Sequence, residues 1–355
     1  MTKIVTVIGA RPQIIKSAVV SECIQKQNSI SQVLIHTGQH YDSNMSDIFF
    51  DELNIGPPDA HLGIGGGMSG QNIGRMIEAI EKELVVHKPD WVLVYGDTDS
   101  TLAGALASSK FGVPVAHVEA GLRSFNRKMP EEINRILVDH TSDLLFAPTE
   151  EAVKNLLFEG IAEAKIHRTG DVMYDAIRMY KPRAKKPDCI EEGVPFVLST
   201  VHRAENTNDP QTFGSIVRVL NTVAGVKNVI LPLHPRTKKS LHRFEVDDLV
   251  ENVKVIDPVS YLEMLWLLDH CELVITDSGG LQKEAFWHSK PCLVLREETE
   301  WIELITEGFN RLLPLEERKP DIILDQIQGM TVPNDRDLYG RGDAAELIVD
   351  CILQQ

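Results

Sequence analysis

Cysteine is scarce in this 355-residue chain: five residues, Cys23, Cys189, Cys271, Cys292 and Cys351, odd in number and widely spaced. No CxxC pair occurs, which argues against a disulfide scaffold or thiolate zinc site and for reduced thiols in a cytosolic protein. The twelve histidines form no HExxH and no Cys/His cluster, so no bound metal is expected. Apolar runs never reach the ~18 residues that a membrane span requires. The opening Ile4-Val5-Thr6-Val7-Ile8-Gly9 is too short and too β-branched for a secretory signal and reads as a buried strand. Positive charge is also short, with 36 Lys and Arg against 52 Asp and Glu and a formal net charge of −16. That balance argues against nucleic acid or an anionic membrane as a partner. Two fingerprints are missing as well. Gly9-Ala10-Arg11-Pro12 is neither GxGxxG nor a Walker A loop, and nothing else in the chain supplies either. A dinucleotide cofactor and P-loop chemistry are both disfavoured.

What is present is ordinary for a soluble globular chain: 43% hydrophobic and 25% charged residues, in a length suited to two domains. Short apolar runs at 4–8, 32–36, 91–95, 115–118, 144–147 and 165–168 read as strands. Helical patterns at 14–27, 70–87, 100–111, 131–141 and 150–160 lie between them, the last with Thr149 as N-cap and Glu150 and Glu151 in its first turn. A proline-rich stretch at 180–195 reads as a linker. Strands at 196–200, 229–233, 253–256, 273–276 and 292–295 then alternate with helices at 211–222, 261–270, 281–289, 302–307 and 321–328. A last helix covers 344–353. Strands without polar alternation, separated by helices, specify parallel sheets covered on both faces. The expected fold class is α/β, with two Rossmann-like doubly wound domains facing a cleft.

In such sheets ligands collect at the carboxyl ends of the strands. The loops there are Gly9-Ala10-Arg11-Pro12, His36-Thr37-Gly38-Gln39-His40, Gly96-Asp97-Thr98 and Glu119-Ala120-Gly121-Leu122-Arg123. The second half adds His202-Arg203-Ala204-Glu205-Asn206, His234-Pro235-Arg236 and Asp277-Ser278-Gly279-Gly280. Seven loops rich in charge and imidazole at one topological edge favour a site over a scaffold. Taken singly, each has a plainer reading. Asp97 can cap the helix that follows, and Glu131 after Pro130 can serve a helix dipole. Ser278 can cap its helix, yet Gly279 and Gly280 there would also let a phosphate reach bare backbone N–H groups. His202 and Arg203 can be rim polar groups or a pair for a diphosphate. A carboxylate placed like Glu284, one turn further on, could hold ribose hydroxyls.

Five stretches taken in order carry a resemblance: Gly9-Ala10-Arg11-Pro12 with Lys16, Gly96-Asp97-Thr98, His117-Val118-Glu119-Ala120-Gly121-Leu122-Arg123, Pro130-Glu131-Glu132-Ile133-Asn134-Arg135 and Thr276-Asp277-Ser278-Gly279-Gly280-Leu281-Gln282. They resemble the non-hydrolysing UDP-N-acetylglucosamine 2-epimerases over nearly the whole chain. The resemblance implies a GT-B-like fold in which 1–180 and the last helix, 340–355, form one domain carrying the acid/base groups. Residues 181–339 would form the UDP-binding domain. It implies a UDP-N-acetyl sugar as substrate, no cofactor, no metal, a cytoplasmic enzyme and a homodimer. By the same resemblance Asp97, Glu119 and Glu131 are the acid/base set, with His202 beside them. Arg11, His202, Arg203, Ser278, Gly279 and Gly280 would hold the diphosphate, Glu284 the ribose, and Lys16, Arg123, Arg135 and His234 would complete the pocket.

The chain departs from the commonest family pattern at Gln13, where Glu usually follows Arg-Pro, at Trp301, where Arg is usual, and at Tyr41. Ala10-Arg11-Pro12-Gln13, Arg203-Ala204-Glu205-Asn206, Gln282-Lys283-Glu284 and Glu300-Trp301 are more similar to the branch acting on UDP-2,3-diacetamido-2,3-dideoxyglucuronic acid. The expected reaction is C2 epimerisation of a UDP-2-acetamido sugar for cell-surface polysaccharide, with UDP-N-acetylglucosamine as first substrate and the diacetamido uronate as second. A GT-B glycosyltransferase, a hydrolysing epimerase and a UDP-sugar sensor are the other readings. A sensor needs no acid/base groups, and sugar transfer does not need three carboxylates on one domain.

Overall fold

The computed structural model describes residues 1–39, 50, 52–244, 252–332 and 337–355. His40 and Tyr41 lie outside the described residues. The chain divides into two compact units, Met1–Met179 with Asp337–Gln355, and Tyr180–Arg336. Each holds one wholly parallel sheet.

In the first unit the strands are β1 (Thr2–Ile8), β2 (Ile30–His36), β3 (Ala60–His61), β4 (Trp91–Tyr95), β5 (Val115–Val118), β6 (Leu144–Ala147) and β7 (Ile166–Arg168). Their order across the sheet is β3-β2-β1-β4-β5-β6-β7. Register is set at the centre, where Ile4 lies between Gln32 and Trp91 and Val7 between Ile35 and Val94. Ile4, Val5, Val7, Val92 and Val94 are wholly buried, as strands covered on both faces require. Helices α1 (Arg11–Gln25), α2 (Ser69–His87), α3 (Asp99–Phe111), α4 (Pro130–Thr141), α5 (Glu150–Phe158) and α6 (Val172–Tyr180) connect them. The inner stripe of α2, Met76, Ile80 and Leu84, recurs every four residues and packs into the β1–β4 core. Thr149 caps α5 by accepting from Ala152 N, as its sequence indicates.

The second unit contains β8 (Phe196–Thr200), β9 (Asn228–Pro232), β10 (Val253–Ile256), β11 (Leu273–Thr276), β12 (Cys292–Val294) and β13 (Asn310–Leu312), in the order β10-β9-β8-β11-β12-β13. Its helices are α7 (Ala204–Thr207), α8 (Pro210–Ala224), α9 (Pro235–Arg243), α10 (Tyr261–His270), α11 (Gly279–Trp287), α12 (Ile302–Thr306) and α13 (Pro320–Gln328). The last helix, α14 (Ala344–Leu353), belongs to the first unit, where it packs on α1. Among the described residues no helix is long and apolar enough to cross a membrane.

Sequence patterning misses β3, β13, α6, α7 and α9. The two strands are two and three residues long, too short for a periodicity to register. Helix α9 is almost entirely polar and basic, so it lacks the apolar stripe by which a helix is read.

Candidate active site

In the first sheet the strand order reverses between β1 and β4, the switch point beside whose strand carboxyl ends doubly wound sheets place their ligands. Gly9 and Ala10 follow β1, and Arg11 is the first residue of α1. One buried side chain ties this turn to β4. The Gln13 carbonyl accepts from Gly9 N at 2.8 Å and Ala10 N at 2.9 Å. Its amide nitrogen donates to Tyr95 O at 2.8 Å and Thr101 Oγ1 at 2.9 Å. A carboxylate could not make the donation to a carbonyl, which gives the departure at Gln13 a physical account.

After β4, Asp97 is not the helix cap. That role falls to Thr98, whose side chain accepts from Thr101 N. Asp97 instead pairs with Arg135 at 2.7 Å, and its main-chain carbonyl accepts from Asn134 Nδ2 at 2.9 Å. Arg135 is further held by Glu132 at 2.8 Å. At the end of β5, Glu119 adopts a left-handed backbone, φ 72°, a conformation that costs energy in any residue with a Cβ. Its carboxylate pairs with Lys16, and both side chains are buried. A Cβ on Gly96 would stand 3.5 Å from Glu119 Oε2 and 3.7 Å from Lys16 Nζ. The Lys16–Glu119 pair therefore lies against the residue that precedes Asp97. Glu131 stands apart, exposed in the first turn of α4 with no ion pair among the described residues, although helical spacing puts it on the Arg135 side.

Arg123 is turned into the interior. Its guanidinium is saturated by Asp139 at 2.7 Å, by both oxygens of Glu159 at 2.7 Å and by the Leu122 carbonyl. Its side chain is 1% exposed. The geometry suits it to hold a loop in place rather than to touch a ligand.

The second sheet repeats the reversal between β8 and β11. Asp277, fully buried after β11, accepts from the main-chain nitrogens of His202 at 3.1 Å and Arg203 at 3.0 Å, and from Asn206 Nδ2 at 3.1 Å. Its second link to His202 is Nδ1 at 3.2 Å. Burial would raise its carboxyl, but these partners outweigh it and hold the group below its ordinary value. Ser278 caps α11 by accepting from Leu281 N. Gly279 and Gly280 open the helix, and Glu284 lies buried in its second turn. His234 caps α9, its ring 5.4 Å from that of His202, and Arg236 donates to the His202 carbonyl at 3.0 Å.

Around Gly279 the structure adds residues that sequence reading did not bring to the site. Glu300 pairs with Arg296 at 2.7 Å and lies 3.8 Å from Arg203. A Cβ on Gly279 would collide with the Glu300 carboxylate, so the Glu300 side chain lies directly against this glycine. Trp301 stacks beneath the Lys283 ammonium at 3.9 Å. Asp277 and Arg236 stood inside motifs already singled out. Asn134 also lay inside a quoted stretch, whereas Asp139 carries no local signal beyond lying on the same helix as Arg135.

Two doubly wound parallel sheets define an α/β enzyme of the two-Rossmann class. One carries ion-paired carboxylates at its switch point, the other a glycine-opened helix flanked by His202 and Arg203. A family model described as UDP-N-acetylglucosamine 2-epimerase matches residues 22–353. The UDP-2,3-diacetamido-2,3-dideoxy-D-glucuronate 2-epimerase of Pseudomonas aeruginosa is 52% identical, over 98% of either chain. A UDP-N-acetylglucosamine 2-epimerase of Methanococcus maripaludis is 44% identical, over 99% of this chain and 98% of its own. The crystal structure of Methanocaldococcus jannaschii UDP-GlcNAc 2-epimerase with UDP-GlcNAc and UDP is similar at a TM-score of 0.88 and 41% identity, covering 100% of this chain and 99% of that one. The chain belongs to the UDP-N-acetylglucosamine 2-epimerase family, and it is an isomerase of GT-B-like fold class.

Proposed function

We propose that the protein inverts C2 of a UDP-2-acetamido sugar by eliminating and re-adding UDP. The observation that carries this reading is the pair of cation-held carboxylates, Asp97 with Arg135 and Glu119 with Lys16, gathered about Gly96. The C2 proton of an N-acetyl sugar is not α to a carbonyl, so its removal must be coupled to loss of a leaving group. A carboxylate takes the C2 proton as the C1–O bond breaks, leaving 2-acetamidoglucal and UDP. UDP oxygen then re-forms the bond to C1 while a proton reaches C2 from the opposite face. Asp97, Glu119 and Glu131 are the proton-handling groups in this scheme. Arg11, His202, Arg203, Ser278, Gly279 and Gly280 stabilise the charge that develops on the diphosphate. Glu284 holds the ribose, Lys16, Arg135 and His234 line the pocket, and Arg123 supports it from behind.

As substrate we favour UDP-2,3-diacetamido-2,3-dideoxyglucuronate over UDP-N-acetylglucosamine. The full-length identity of 52% to the enzyme named for the former, against 44% for the latter, supports that order. The product would then feed a cell-surface polysaccharide, made by a cytoplasmic homodimer. Proton NMR in heavy water with each sugar nucleotide in turn, and no acceptor, tests the reading. Deuterium entering C2 alongside a new 2-epimer signal is the expected result. UDP-sugar consumption that requires an acceptor would instead establish a glycosyltransferase.

A further inference from the structure

Beneath the switch point of the first sheet lies a buried polar chain that the reaction scheme leaves unused. His117, on β5, is wholly buried. Its Nδ1 lies 2.7 Å from Asp139 Oδ1 and its Nε2 2.8 Å from the Gly96 carbonyl oxygen. A carbonyl oxygen can only accept, so Nε2 carries hydrogen and donates to Gly96, while the Nδ1 contact ties the ring to the Asp139 carboxyl group. The carboxyl group that holds the ring is secured from the far side. Asp139 also accepts from Arg123 at 2.7 Å and from Gly121 N at 3.1 Å. Burial would raise the Asp139 carboxyl, but His117 and Arg123 outweigh it and hold the group ionised, below its ordinary value.

The chain ends on the peptide that leads into Asp97. Gly96 N donates to Val118 O at 2.9 Å while its carbonyl receives His117 Nε2–H, so both faces of this residue are fixed to β5. Gly96 has φ 65°, a left-handed turn that an unrestrained loop would leave readily. We propose that His117, held in place by Asp139, is a positioning residue that fixes Gly96 and thereby aims the Asp97 carboxylate at the substrate. The proposal rests on the epimerase reading. It assigns to Asp139, Arg123 and Glu159 a supporting role behind a residue that itself touches no substrate.

Two substitutions separate aiming from mere packing. In His117→Gln the amide nitrogen overlays Nε2 and still donates to Gly96; in His117→Asn it overlays Nδ1 and reaches only Asp139. Turnover is read as C2 deuterium exchange, with UDP affinity and melting temperature measured on the same samples. We expect the asparagine variant to lose about 100-fold in kcat, the cost of a displaced catalytic group. The glutamine variant should stay within about tenfold of wild type, the loss of one modest interaction, and UDP affinity should hold in both. Equal losses in the two variants, tracking melting temperature, would show a structural role only and overturn the proposal, as would full activity in both. Nitrogen-15 histidine spectra of the wild type give a readout that needs no variant to fold. One ring with a hydrogen-bonded Nε2–H, lost in both variants, is expected, and its absence overturns the proposal. Wild-type protein that exchanges C2 of neither sugar nucleotide removes the epimerase reading and this role with it.

Discussion

The main-chain nitrogen of His202 donates to both oxygens of the Asp277 carboxylate at 3.1 Å, across the ends of the adjacent parallel strands β8 and β11. A side chain with no exposure thereby sets the path of the turn carrying His202 and Arg203. Neither motif alone contains this arrangement, since 75 residues separate the partners.

Asp277→Asn should therefore loosen from below the turn proposed to hold the diphosphate. Even if the amide oxygen takes the place of Oδ2, its NH2 takes that of Oδ1 and faces the His202 main-chain N–H donor against donor, at roughly 1–3 kcal/mol. Titration calorimetry with UDP should show affinity falling about 10- to 100-fold, the same free energy read at the ligand. Unchanged UDP affinity in the folded variant would detach this turn from nucleotide binding.

Asp97→Asn should bind UDP as wild type does and lose C2 exchange by about 10²–10⁴-fold, the usual contribution of a general acid or base. Arg135 keeps a hydrogen-bond acceptor in the variant, so the fold is expected to survive. Full exchange activity would take Asp97 out of the mechanism.

Lys16→Met should destabilise the first unit. It removes the Lys16 ammonium from the Glu119 carboxylate, 8% exposed, at a cost of up to about 3–5 kcal/mol. Adding Glu119→Gln should recover much of that in thermal melts while activity stays absent. A double variant no more stable than Lys16→Met would show that the pair is not coupled.

Asp175 gives a pH dependence of unusual sign. It sits on α6, where one oxygen accepts from Ala345 N at 2.9 Å at the start of α14, and the other finds no partner among the described residues. Burial pushes its carboxyl from 3.8 up to about 6, against the lowering effect of the α14 backbone. The folded state thus keeps a proton that the unfolded chain has already lost. The stabilisation is complete below pH 3.8 and disappears as pH rises through about 6. The loss amounts to at most about 3 kcal/mol. Asp277 runs the other way, because its lowered value stabilises above 3.8 and fails only in stronger acid. Melting curves between pH 4 and 8 should show the Asp175→Asn variant gaining on wild type as pH rises. A difference that does not change with pH would refute the assignment.

Much of this protein was legible in the chain itself. Apolar runs such as Val92–Val94 and Val274–Ile275 could only be buried strands, and their alternation with helices dictated two parallel sheets. The turns at Gly96-Asp97 and Asp277-Ser278 were visible because a strand, a glycine and a charged residue stand side by side in sequence. The plainer readings fared unevenly. Ser278 does cap its helix, whereas Asp97 yields that role to Thr98 and turns to Arg135.

What only the tertiary structure decided is which charges meet. Lys16 finds Glu119 from 103 residues away, and Arg123 looks inward to Asp139 and Glu159 rather than outward. Glu300 comes to rest on Gly279. The reason is physical. A strand or helix is specified by local periodicity, whereas the burial of a charge is tolerated only where a distant partner compensates its desolvation. Periodicity is written in consecutive residues. Compensation is settled by the packing of sheets and helices around each buried group.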